Sequence, residues 1–196
     1  MGAIALDSEV KKGELDGVVE ELGAIAEDAR RAFGRLSAAQ LNWKPSPERW
    51  SVGQCLDHLV KTNECFMPDM GRIAAGTYRT SAWGRVSPLS GLFARLILKA
   101  LDPEKGRKTK APKVFVPASS DIPADMVERF ARHQKEFAAG VRATAGADPR
   151  RTIVTSPVAA VATYSLLDAY RIVVAHERKH LAQARRVTET QGFPRA

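Results

Sequence analysis

The chain has 196 residues, 44% of them hydrophobic, which is enough apolar material and length for one domain with a substantial core. No apolar run reaches the roughly 20 residues that cross a bilayer as a helix. The formal net charge of +8 invites a nucleic-acid reading. No DNA- or RNA-binding motif and no aromatic stacking pattern accompany the basic residues, however, and much of the excess sits in Lys105, Arg107, Lys108, Lys110 and Lys113, which read as a solvated loop.

From Asp7 to Phe33, the residues Leu15, Val18, Val19, Leu22, Ile25, Ala26, Ala29 and Phe33 keep a helical period, so this stretch is expected to be the first long helix. The N-terminus has no basic region, its apolar run is too short for a signal peptide, and Leu6 stands where a myristoylation signal needs Ser or Thr. Ser37 and Gln40 predict a short capped turn, and Pro45 and Pro47 forbid a continuing helix. Trp43 and Trp50 are expected to pin this connector to the end of the molecule.

Ser51 with Gln54 is a second capping-box signature, which predicts a helix from Ser51 to about Tyr78, interrupted or kinked at Pro68. Val52, Cys55, Leu56, Leu59, Asn63 and Phe66 form its apolar stripe, and His58 lies beside them. Cys55 and Cys65 are ten residues apart, about 15 Å along a helix, which no disulfide spans. Reduced thiols and a cytoplasmic setting are therefore expected, with Cys55 a buried small residue.

Residues 81–120 predict a long connection. Within it Leu89, Leu92, Phe93, Leu96, Ile97, Ala100 and Leu101 describe a short amphipathic helix, suited to lie over the bundle or to dock on a membrane surface or partner. Ala111 to Pro117 is expected to be extended, since prolines bracket it. Ser120 or Asp121 is expected to cap a third long helix with Pro123 in its first turn and Met126, Val127, Phe130, Phe137 and Val141 on its inner face. His133, among charges, reads as solvated. Arg151 to Pro157 reads as a turn-rich approach to the last helix, Tyr164 to Arg186.

That last helix carries His176 and His180 one turn apart, on the flank of a stripe of Leu166, Tyr170, Val173, Leu181 and Ala184. The spacing sets two imidazoles side by side, where both reach one metal ion. A third donor must come from elsewhere, and His58 is the better of the two remaining histidines. Four amphipathic helices with few strand signals predict an all-α, four-helix bundle. A simple up-and-down order would separate His58 from the pair by roughly 15 Å. A long crossover between the second and third helices brings them to the same end, and residues 81–120 are long enough to provide it.

The segments Leu41-Asn42-Trp43-Lys44-Pro45, Trp50 to Gln54 leading to His58, and His176-Glu177-Arg178-Lys179-His180-Leu181-Ala182-Gln183 together resemble the DinB-like (YfiT-type) metal-binding helical bundles. The likeness covers most of the chain in order and spacing, except residues 83–120. It implies a four-helix bundle with a long crossover, often a homodimer, carrying a divalent metal on His58, His176 and His180. Zinc and nickel both suit nitrogen ligands, and three ligands leave a position open. The resemblance further implies metal-assisted chemistry with a low-molecular-weight thiol acting on small electrophiles.

Two other readings stay open. His176-Glu177-Arg178-Lys179-His180 satisfies H-E-x-x-H, in which the glutamate is the general base of a zinc hydrolase, but Gln183 and Arg186 stand where the extended motif needs Gly and His. The histidines could equally serve a binding or stress-response bundle without catalysis. Glu177 falls near the centre of an apolar stripe, which predicts pairing with a basic or amide side chain inside the bundle or a role as base.

Overall fold

A computed structural model describes residues 2–87, 89–102, 121–157 and 159–195, with side chains described from Glu9 onward. The expected basic loop at Lys105 to Lys113 and the extended stretch Ala111 to Pro117 lie outside the described residues.

The protein is mostly α-helical. The described helices are α1 (Gly2–Phe33), α2 (Ala38–Asn42), α3 (Val52–Glu64), α4 (Met67–Ala74), α5 (Ala82–Val86), α6 (Ser90–Leu101), α7 (Met126–Ala143) and α8 (Leu166–Thr188). Both capping boxes form: the Ser37 hydroxyl accepts from the Gln40 amide, the Ser51 hydroxyl accepts from the Gln54 amide, and each glutamine returns the bond. They fix where α2 and α3 begin, because each satisfies two donors that a helix start leaves unpaired.

Four long helices close a ring: α1 packs on α7 and α8, and α3 packs on the same two. Their directions follow from what shares a core. The C-terminal residues of α1 (Ile25, Ala29, Phe33) and α8 (Leu181, Ala184, Val187) meet the N-terminal residues of α3 (Val52, Cys55, Leu56) and α7 (Met126, Val127, Phe130). Hence α3 and α7, consecutive long helices, run parallel, the relation that the predicted crossover requires. At the opposite end Leu15 to Leu22, Met70, Ile73, Phe137, Val141, Leu166 and Tyr170 form the second core cluster.

Several local expectations change. The helix predicted from Ser51 to Tyr78 is interrupted near Pro68 as expected, but by a full break at Cys65 and Phe66 rather than a kink, and it ends at Ala74; Pro68 sits in the first turn of the new helix, α4, where a missing N–H costs nothing. The third long helix begins at Met126 rather than beside Ser120 or Asp121. Pro123 stands ahead of it in a turn whose carbonyl accepts from the Met126 amide. Arg151 to Pro157 is not only turn: β1 (Ile153–Thr155) pairs antiparallel with β2 (Thr163–Ser165), Val154 opposite Tyr164. Tyr164 is therefore a strand residue, and α8 starts at Leu166, capped by the Ser165 hydroxyl. His133 is not solvated. It is 6% exposed, and burial holds its imidazole below its usual basicity.

Candidate metal centre

Three imidazoles converge between α3 and α8. One nitrogen from each of His58, His176 and His180 can be chosen so that all lie within 4.8 Å of one another. His58 Nε2 and His176 Nε2 are 3.2 Å apart, and all three ring pairs have centroids 4.6 to 5.0 Å apart. His176 and His180 meet because one turn of α8 separates them. His58 meets them because the parallel course of α3 and α7 turns the start of α3 toward the later half of α8. Within the fold the predicted trio is assembled, and His133 is not part of it.

Burial decides the charge state. It pushes His176 down to about 3 and His180 down to about 2, with neighbouring imidazoles and the Lys179 ammonium adding to the effect. Both rings are thus neutral at any physiological pH, and each offers one lone-pair nitrogen beside one N–H. Trp50 walls one side: its ring stacks on His180 at 5.7 Å and 25°, and lies 4.8 Å from His58. An aromatic wall limits how the imidazoles can rotate and keeps water from that side.

Behind the histidines Glu177 is fully buried. Its Oε1 accepts from Asn63 Nδ2 of α3 and from Gln134 Nε2 of α7, both at 2.6 Å. Burial drives the carboxyl up to about 7, although both amide donors pull it down. The pairing with amide side chains expected for a carboxylate on an apolar stripe is therefore present, and it ties α8 to two neighbouring helices at the level of the imidazoles. Glu177 Oε2, Asn63 Oδ1 and Gln134 Oε1 have no partner.

A family model of the DinB superfamily matches residues 21–184, which includes all three histidines, Glu177 and both of its amide partners. The chain belongs to the DinB superfamily. No curated protein and no solved structure matches it.

In this DinB-superfamily chain, sequence reasoning located the histidines but not what surrounds them. Asn63 was visible only as a polar residue on an apolar stripe, and Gln134 carried no signal beyond lying beside His133. Trp50 is expected from the sequence only as an anchor for the connector, whereas its indole also faces His58 and His180. Trp43 does serve as such an anchor, edge-on to Phe193 at 5.4 Å. Of the cysteines, Cys55 is buried with its thiol pushed up to about 12, and Cys65 is exposed; neither is in a disulfide. No helix among the described residues is long and apolar enough to cross a membrane.

Proposed function

We propose that this DinB-superfamily protein holds a divalent metal ion, zinc or nickel, on His58, His176 and His180, and that it is a metal-dependent thiol S-transferase acting on small electrophiles. The observation that carries the proposal is the convergence of three imidazoles, His58 buried and His176 and His180 half-buried, from helices more than a hundred residues apart in sequence. Three imidazole nitrogens brought this close together, away from bulk water, suit an ion that accepts their lone pairs. His180 Nδ1 indeed has no partner.

The residues fit such an ion. Two imidazole nitrogens bound to one zinc at about 2.0–2.1 Å with tetrahedral angles stand about 3.3 Å apart, and the His58 and His176 nitrogens are 3.2 Å apart. When bound, the ion lowers the pKa of a thiol at its open position and presents a thiolate to an electrophile. The chain supplies the rest: α3 and α8 hold the nitrogens at fixed spacing, Trp50 excludes water from one side, and the Glu177 network fixes the rotation of α8. The same reading includes one domain spanning residues 1–196, a homodimer and a cytoplasmic setting.

The test is metal analysis of the purified protein beside His58→Ala and His180→Ala. One zinc or nickel per chain in the parent and loss in both variants is the expected result. Equal metal content in all three would refute the site. Consumption of glutathione, mycothiol or bacillithiol with electrophilic substrates then separates a transferase from a metal-binding bundle without catalysis.

A further inference from the structure

Helix α6 is apolar on both sides. Its inner face, Ala94, Ile97, Leu98 and Leu101, packs on the core cluster beside α8. Its outer face leaves Leu92 50% and Leu96 55% exposed. Apart from Ser90, Arg95 and Lys99 the helix is apolar, and among the described residues nothing covers Leu92 and Leu96. It does not stand alone. Leu89 precedes α6, and Val86 at the end of α5 is 71% exposed. Trp83 of α5, 44% exposed, donates its indole N–H to the carbonyl of Val161, itself 66% exposed at the tip of the β1–β2 hairpin. These six exposed residues stand on α5, α6 and the hairpin against which both helices pack, and together they are termed the apolar ridge.

The ridge is rigidly presented. The Ser90 and Thr163 hydroxyls bond at 2.8 Å at the start of α6, and Lys179 Nζ of α8 donates to the Ala100 carbonyl at its end. The charged side chains on α5 and α6 themselves are all basic, although Asp102 caps the end of α6 and Glu14 and Asp168 flank its start. From Met70 to Leu101 the sequence contains no Asp or Glu, and Arg79, Arg85, Arg95 and Lys99 are exposed there. A second copy docking through the same face would set these cations against each other. An anionic surface would pair with them while taking up the leucines and the tryptophan.

We infer that the ridge of Trp83, Val86, Leu89, Leu92, Leu96 and Val161 docks reversibly on an anionic lipid surface. A basic amphipathic helix lying in the headgroup region gains from apolar burial and from charge together, and neither alone holds it firmly. The assignment does not depend on the metal reading, since vesicle binding should be the same with metal removed.

Co-sedimentation with vesicles tests it, comparing pure phosphatidylcholine with a mixture containing about one third phosphatidylglycerol. Each basic side chain at such a surface contributes about fivefold in affinity, so partition into the anionic vesicles should exceed that into neutral ones by at least about tenfold and fall with added salt. Leu92→Ser with Leu96→Ser, and separately Arg95→Glu with Lys99→Glu, should each lower it by about tenfold or more. All four positions are exposed, so the helical circular dichroism should not change. Sedimentation with neither vesicle, equal sedimentation with both, or insensitivity to both variant pairs would overturn the inference. So would a shift from dimer to monomer on substituting the leucines without any vesicle binding, which would make the ridge a contact between copies.

Discussion

Replacing Glu177 by glutamine should change how stability depends on pH, in a direction that distinguishes a buried acid from an ordinary structural carboxylate. Glutamine keeps an oxygen to accept from Asn63 and Gln134 and places an NH2 where Oε2 has no partner. The substitution therefore removes the titration and little else. In the folded protein burial raises the carboxyl from 4.5 to about 7. Between those values the folded chain keeps the proton and the unfolded chain has released it. Glu177 thus contributes its full share to stability below pH 4.5 and loses it as pH rises through 7. At about 1.4 kcal/mol per unit, the ceiling is about 3 kcal/mol, and about 2 to 3 kcal/mol of it disappears between pH 5 and 8. Urea unfolding of the metal-free protein and Glu177→Gln at these two pH values measures it directly. Relative to the parent, the variant should be more stable at pH 8 than at pH 5 by that amount. A constant difference between the two proteins, or a variant less stable by the same margin at both, would refute a protonated Glu177 inside the bundle.

The histidines act in the opposite sense. His176 and His180 stay neutral in the folded chain down to about 3 and 2, while the unfolded chain takes up protons near 6.5, so metal-free protein loses stability as pH falls below 6.5. Substituting both by glutamine should make the profile from pH 6.5 to 5 shallower by about 3 kcal/mol; parallel unfolding curves for the two proteins would contradict this. Gly53→Ala should destabilise by about 1 to 3 kcal/mol in thermal or urea unfolding, since a Cβ there would come within 2.8 Å of Ile122 Cγ2 and 3.0 Å of the Leu41 carbonyl in the first turn of the helix that carries His58. With a disulfide reagent one thiol, Cys65, should react in the native protein and a second only after unfolding, because Cys55 is buried with its thiol pushed up to about 12. Two fast thiols in the native state would place Cys55 at the surface.

What the sequence made legible and what it hid divide along one physical line. Periodicity reports which face of a helix is apolar, so α1, α3, α6, α7 and α8 could be found from spacing alone, and one turn between His176 and His180 required no tertiary information. The parallel course of α3 and α7 was also accessible, because a long connection was the only way to bring His58 to the histidine pair. Backbone turns at points of low periodicity were not. The break at Cys65 and Phe66 leaves the apolar stripe unbroken through Met70 and Ile73, so only Pro68, in the first turn of α4, marks it in the sequence, and periodicity does not. The hairpin is three residues per strand, too short for alternation to emerge.

The burial of His133 is hidden in the sequence for a related reason. Its neighbours in sequence, Arg132 and Lys135, are charged, yet side chains one or two positions apart on a helix point in different directions. His133 follows Phe130 by three and precedes Phe137 by four, on a buried face that also includes Gln134. The Glu177 network shows the same principle from the other side. A polar residue at an apolar period must find a partner at the same depth on another helix, and Asn63, Gln134 and Glu177 each occupy such a position on three different helices. Partners of this kind are invisible in any one helix and close to compulsory once the ring of helices is assembled, because each buried amide and carboxylate left alone would cost several kcal/mol. The network therefore follows from the packing order, and it holds α8 in the one rotation that points both of its histidines at His58.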